Sequence, residues 1–226
     1  MPEQFLHGVE VVELDYGARP ISTVRSSVIG LIGTAPDSQP QTTASLSTGT
    51  LAANNALTFT SVSAGAIGNQ TSIKLRNPQT ASAALSVVVN GSAIVVNLAT
   101  DSGGLVTSTA TAVKAAIDAK AEASALASVA NTGASNGSGV VAATNSTLFL
   151  DGGNDEAFPV NVPVLVAGSR LEAAKLGTAG TLPAAIDAIF DQAGAMVVVV
   201  RVEAGVDAAA TKSNIIGGVD VSTGQY

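Results

Sequence analysis

Short apolar runs separated by turn residues recur along the chain, and their spacing predicts most of its elements. Val28–Gly33 (VIGLIG), closed by Thr34-Ala35-Pro36, predicts a buried strand followed by a turn. Val162–Ala167 (VPVLVA) predicts another strand, which feeds Ser169-Arg170-Leu171-Glu172. That Ser-x-x-Glu spacing is a capping box, in which hydroxyl and carboxylate satisfy free backbone N–H groups at a helix start. Gly177 ends this helix, and a second begins near Thr181-Leu182-Pro183, where proline's missing N–H costs nothing. Ile186, Ile189, Phe190 and Ala193 follow at i, i+3, i+4 and i+7, one apolar stripe stopped by Gly194. Met196–Val202 (MVVVVRV) then predicts a strand covered on both faces, as in a parallel sheet. Strand, helix, helix, strand implies a right-handed crossover layer.

Between these segments the pattern shortens to period two. Leu57–Val62 and Ser72–Arg76 predict strands. Leu85–Val89 and Ala93–Leu98 flank Asn90-Gly91, a hairpin signal because both residues tolerate positive φ. Val106, Ala110, Val113 and Ile117 recur at helical spacing and predict a helix from about Thr107 to Glu122. Val140–Ala143 and Thr147–Leu150 are weaker strand candidates, and Asn131–Gly139 (NTGASNGSG) is a loop. No solenoid repeat is evident.

The charge distribution turns this change of pattern into a domain boundary. In residues 38–154, Lys74, Arg76, Lys114 and Lys120 balance Asp101, Asp118, Glu122 and Asp151, so the ends carry the whole net charge of −7. A neutral middle between matching ends suggests a domain inserted into a loop of another, because insertions succeed where chain ends lie close together. The expected division is an amino-terminal arm at 1–22, a discontinuous α/β core at 23–37 plus 155–226, and a β-rich insert with one helix at 38–154. The fold class is therefore α/β, α+β overall, with a partly parallel outer sheet.

Composition narrows the partners. Charged residues are 12% of the 226, about half the roughly 25% of an ordinary soluble domain. The few basic residues are scattered, which argues against nucleic acid or an anionic membrane. There is no cysteine, hence no disulfide framework or thiolate metal site. Residues 1–15 lack the basic and apolar regions of a signal peptide, and Ala195–Val200, the longest apolar run, is too short to span a bilayer. A soluble protein that stays where it is made is expected.

No catalytic constellation assembles. His7 is the one histidine, so a Ser-His-Asp triad or multi-His metal site would have to use it; a solvated terminal residue is the simpler reading. Gly30-Leu31-Ile32-Gly33 lacks both G-x-G-x-x-G and the Lys-Ser/Thr of a P-loop, and strand packing explains it. Ser169 follows Ala167-Gly168 as a cap, with no G-x-S-x-G elbow. Asp151-Gly152-Gly153-Asn154-Asp155 offers hard oxygen ligands and resembles part of a calcium-binding nonapeptide, but it occurs once, so a domain-exit turn is expected. Asp187 and Asp191, at i and i+4, read as a solvated helix face. The sequons at Asn69, Asn90, Asn136 and Asn145 match by chance in a Ser/Thr-rich chain. No catalytic residue, cofactor or metal is assigned.

Residues 8–20 (GVEVVELDYGARP) remain. Val9, Val11, Val12 and Leu14 give β character, while Glu10, Glu13 and Asp15 keep the segment soluble when unpaired. Such a terminal arm can add to another subunit's sheet edge through backbone hydrogen bonds. Composition alone favours an ordinary first strand of the chain's own sheet.

ELDYGARPI leading to SSVIGLIGTAP, then N-x-PVLV, the IFDQ helix, VVVVRVE and NIIGGVD-x-STGQY together resemble the amino-terminal part of a contractile phage tail sheath protein. Their order and spacing, once the middle is removed, carry the resemblance. About 120 residues intervene where relatives often have a short loop, and this middle resembles a small accessory domain of phage structural proteins. The chain stops at Tyr226, where sheath proteins continue, so a partial sheath is expected. The resemblance implies a structural, non-enzymatic subunit of the virion, made in the host cytoplasm. It further implies six-fold rings of sheath subunits stacked around a tail tube, contact with the tube protein and baseplate, and contraction that drives the tube through the envelope. Val9, Val11, Val12 and Leu14 become the intersubunit arm or its root, with Arg19 and Pro20 in the following turn. The sheath of a phage-tail-like bacteriocin or injection system is the close alternative; an adhesion or ligand-binding module at 38–154 is the distant one.

Overall fold

The computed structural model describes residues 28–144, 146–192 and 194–217. Its strands are β1 (Val28–Thr34), β2 (Thr43–Thr48), β3 (Leu57–Ala64), β4 (Ser72–Arg76), β5 (Ser86–Asn90), β6 (Ala93–Asn97), β7 (Ala127–Asn131), β8 (Leu148–Phe149), β9 (Pro163–Ala167) and β10 (Met196–Val202). Its helices are α1 (Ala110–Asp118), α2 (Ala121–Ser124), α3 (Arg170–Ala173), α4 (Leu182–Gln192) and α5 (Ala208–Ile216). The mixture is α+β, with parallel and antiparallel pairs in one sheet, as the sequence predicts.

The outer sheet has the order β1-β10-β9. β1 runs parallel to β10, whereas β9 runs antiparallel to it, with Met196 opposite Ala167 and Val200 opposite Pro163. This corrects the expected crossover between β9 and β10. The cause is the number of helical segments between them. α3 and the 3-10 turn Ala174–Leu176 lead away from the end of β9, and α4 returns. Arg170 at the start of α3 meets Asp191 near the end of α4 at 2.7 Å, which marks this return. A helical hairpin brings the chain back to the sheet end it left, so the next strand runs antiparallel.

The Ser169 side of the expected capping box forms, and Gly177 ends the helical segment as expected. Ser169 Oγ accepts the Glu172 N–H at 3.2 Å, and Gly177 takes a φ of 78° at the end of the 3-10 turn. Leu182 and Ile186 of α4 are buried, with Ile189 and Phe190 packed beside them against Val197, Val199 and Val166 of the sheet. Phe158, Leu176 and Ala35 complete this core. Fully burying an aliphatic side chain contributes about 1.5–3 kcal/mol, so α4 fixes its face of the sheet.

Among the described residues nothing covers the opposite face, and this corrects the second expectation for these strands. Residues opposite one another in register share a face. Val28, Gly30 and Ile32, then Met196, Val198 and Val200, then Ala167, Leu165 and Pro163 therefore lie together. Val28, Ile32 and Leu165 are more than half exposed. The valine run of β10 reflects its central position in the sheet, with burial on one face.

Residues 38–154 supply two more sheets, β2-β3-β7 and β5-β6-β4-β8. β4 pairs parallel with β6, and β5 with β6 form the predicted hairpin. Its two-residue loop is Gly91-Ser92, one position beyond the expected Asn90-Gly91, because Asn90 pairs with Ala93. Gly91 has a φ of 59°, the first-position glycine of a type II′ turn. The single long helix expected from Thr107 to Glu122 is instead α1 and the one-turn α2. Val106 bridges to Thr100 rather than joining the helix, and Thr109 Oγ1 caps α1 by accepting the Ala112 N–H. Lys120 is extended and breaks the run. Val140–Ala143 forms one bridge, Val140 to Thr109, and not a strand. Val113, Ile117, Phe59, Leu57, Ile73 and Ile94 form the centre of a second buried cluster, separate from the first.

Candidate functional site

The predicted arm residues Val9, Val11, Val12, Leu14, Arg19 and Pro20 lie outside the described residues, as does His7. The described part defines two other features: the open sheet face, which holds Val28, Gly30 and Ile32 of β1, and the two chains that connect the sheets.

Those chains run side by side. The outgoing chain leaves β1 through Ala35–Thr42; the returning chain covers Asp151–Val162. Thr42 N–H donates to the Asn154 carbonyl at 2.9 Å, Asn154 N–H donates to Thr42 Oγ1 at 2.9 Å, and Thr42 Oγ1 donates to the Gly152 carbonyl at 2.8 Å. Ala157 N–H donates to the Gln39 carbonyl. Below them, Arg201 of β10 donates to the Ala35 carbonyl and pairs with Glu156, reaching both chains from one guanidinium.

Asp37 secures the outgoing chain. Its carboxylate accepts N–H bonds from Thr178 and Ala179, both at 2.9 Å, and the Thr178 hydroxyl at 3.1 Å. Donors aimed at the ionised form, the Thr178 N–H foremost and then that of Ala179, hold this carboxyl below the usual aspartate value. Glu122 is likewise held low by its hydrogen bond to Lys120, 3.0 Å away.

The sequence candidates for chemistry have structural duties. A Cβ on Gly33 would lie 2.4 Å from Thr181 Oγ1 and 3.1 Å from Leu182 Cγ, so this glycine permits α4 to approach β1. In the Asp151–Asp155 loop, Asp151 Oδ1 accepts the Gly152 N–H at 2.7 Å and Asp155 Oδ1 accepts the Ala66 N–H at 2.9 Å. Asn69 exchanges two hydrogen bonds with Gly153. One carboxylate oxygen of each aspartate in this loop is thus engaged with backbone. Among the described residues no three Asp, Glu, His or Cys side chains group as metal ligands would. Asp187 and Asp191 are exposed, and Asp191 pairs with Arg170. The groove between β5 and α2 is lined by Val87–Val89 and the exposed Lys120–Glu122 ion pair. Sequence reasoning missed Asp37, Thr42, Glu156 and Arg201. Thr34-Ala35-Pro36 and the Asp151–Asp155 run signalled turns, but pairing across 45 to 166 positions carries no local signature.

Residues 139–202 match the family model described as the tail sheath protein Gp18 domain III N-terminal region. The match takes in β8, β9, α3, α4 and β10 and begins 16 residues before the expected boundary at 155. This segment is similar to tail sheath proteins. The chain is 44% identical over 77 residues to the tail sheath protein of Escherichia phage P2, covering 31% of the chain and 19% of that protein. It is 58% identical over 36 residues to the tail sheath protein of Burkholderia phage BcepMu, covering 16% of the chain and 8% of that protein. The alignments thus span less than a fifth of these relatives' length. No solved structure matches. Tail sheath sequence is that of a bacteriophage structural protein and virion component, and no described helix is long and apolar enough to cross a membrane.

Proposed function

We propose that the chain is part of a contractile tail sheath subunit. It polymerises in six-fold rings around the tail tube, meets the tube protein and baseplate, and contracts to drive the tube through the host envelope. The similarity of the α/β segment to tail sheath proteins carries this reading. The role is mechanical rather than enzymatic: heterologous contacts repeated by rotation and rise build the lattice, and a kinetic barrier holds its extended form.

Within this subunit, residues 38–154 form a domain inserted into an α/β core made of 23–37 and 155–226, with 1–22 as an arm. Two separate buried clusters and the side-by-side connecting chains support the division. Val9, Val11, Val12 and Leu14 are the strand-forming part of the arm, and Arg19 and Pro20 its turn. Removing residues 1–15 in the complete protein is expected to abolish polymerisation while leaving a folded monomer; sheaths of unchanged appearance by electron microscopy would rule out the arm.

The insert's own core also favours a second role, adhesion, with Leu105 and Phe149 exposed on its surface. Replacing residues 38–154 by a short linker in the complete protein separates the two. Contractile particles with reduced adsorption indicate adhesion, and loss of the sheath indicates a part in assembly.

A further inference from the structure

Tethers between an inserted domain and its host are commonly pliant, and relative domain motion is the default where the interface is small. Here the two connecting chains form a braced strut, and we infer that it holds the insert at a fixed orientation to the α/β unit. The inference rests on the two-unit division proposed above and concerns how the units are coupled.

The bracing occurs at three levels. At the base, Thr34 and Thr181 exchange backbone and hydroxyl hydrogen bonds, with Thr181 N–H donating to the Thr34 carbonyl and Thr34 N–H to Thr181 Oγ1. Arg201 ties Ala35 to Glu156, and Asp37 is held by the backbone of 178–179. Gln39 N–H adds a bond to the Lys175 carbonyl at 2.8 Å. The outgoing chain is thus fixed to β10, to the 3-10 turn at Lys175 and to residues 178–181 leading into α4.

In the middle the two chains hold each other through Thr42, Asn154, Gly152, Gln39 and Ala157. At the top the returning chain is fixed to the insert. Asp155 accepts from Ala66, Asn69 clamps Gly153 from both sides, and Asp151 exchanges two backbone bonds with Ser45. Packing leaves little slack: a Cβ on Gly65 would lie 2.3 Å from Asp155 Oδ1, and one on Gly153 would lie 2.4 Å from the Gly65 carbonyl. A bend at any level must break several hydrogen bonds at once, each of which contributes a modest amount alone.

The consequence is mechanical. A rotation of the α/β unit swings the insert as one body with it, so the insert's displacement reports the motion of the unit that carries it. A pliant tether would average that displacement away.

The chain has no cysteine, so paired spin labels can be placed cleanly. Ala115→Cys on α1 and Ala188→Cys on α4 are exposed helical positions in the two units. Pulsed dipolar spectroscopy on the full chain is expected to give one narrow distance peak. Its width should match that of a control pair within the insert, Ala115→Cys with Ser102→Cys. Adding Asp37→Ala and Thr42→Val, which remove bracing at the base and in the middle, is expected to broaden the first peak at least twofold and leave the control unchanged. A broad distribution between units beside a sharp control overturns the strut. An unchanged width in the double variant overturns its assignment to these contacts. The two-unit division fails by a different result, unfolding of the α/β unit when residues 38–154 are removed.

Discussion

Arg201 and Glu156 form an ion pair at the foot of the connecting chains, with side-chain exposures of 12% and 32%. The pair joins the central strand of the outer sheet to the returning chain, and the same guanidinium holds the Ala35 carbonyl of the outgoing one. Replacing Arg201 by methionine keeps an unbranched apolar stem and removes both links. A hydrogen-bonded charge that loses its partner in a partly buried site costs about 1.5–3 kcal/mol. Thermal or denaturant unfolding of Arg201→Met is expected to show a loss of that order, changing little with salt because the pair is shielded. An unaltered midpoint would mean the pair contributes nothing.

Gly33→Ala and Gly30→Ala separate close packing from backbone effects within one strand. The first places a methyl 2.4 Å from Thr181 Oγ1; the second meets nothing within 4 Å. Overpacking typically costs about 1–3 kcal/mol. Denaturant titration should therefore find Gly33→Ala clearly destabilised and Gly30→Ala within about 0.5 kcal/mol of the parent. Equal losses at both positions would contradict the packing role.

Asp37 makes a signed pH prediction. Its folded pKa is depressed, so its contribution is complete above the unfolded value, near 3.8, and is lost as the pH falls through the lower folded value. The stability difference between the parent and Asp37→Ala should be constant from neutral pH to about pH 5 and shrink in more acidic solution. Paired chemical-denaturation curves across that range check this. A difference that grows on acidification would reverse the assignment.

The one-sided sheet predicts a contrast between its faces. Ile186 is 1% exposed and Leu165 is 56% exposed. Ile186→Ala should cost about 2–4 kcal/mol through lost burial and a cavity, whereas Leu165→Ser should cost less than about 1 kcal/mol. Comparable losses in unfolding measurements would show that the second face is covered within this chain.

Legibility in the sequence followed the range of the interactions. β4 was readable to the residue and β1 to within one, because apolar runs and turn residues sit side by side. The Ser169 cap and the α4 stripe were equally local. β2 and β7 escaped notice because TASLST and ASVAN are small and polar enough to pass for loop; pairing with β3 makes them strands. α5 escaped for a similar reason: AAATKSNII has no strong apolar stripe and buries no side chain. The direction of β9 was lost because strand and helix patterns do not record whether two helices return the chain to its starting end. The Arg201–Glu156 clasp and the Asp37 anchor unite residues far apart in sequence, visible only after folding. The tail sheath likeness was legible because it rests on an ordered series of short segments.

Cryo-electron microscopy of tails assembled from the complete protein tests the central claim most directly. The account predicts that the β1-β10-β9 sheet with α3 and α4 repeats around the tail tube in every ring, and that each copy shifts outward between the extended and contracted states. Tails whose sheath density cannot accommodate this sheet, with the protein recovered elsewhere in the particle, would contradict it.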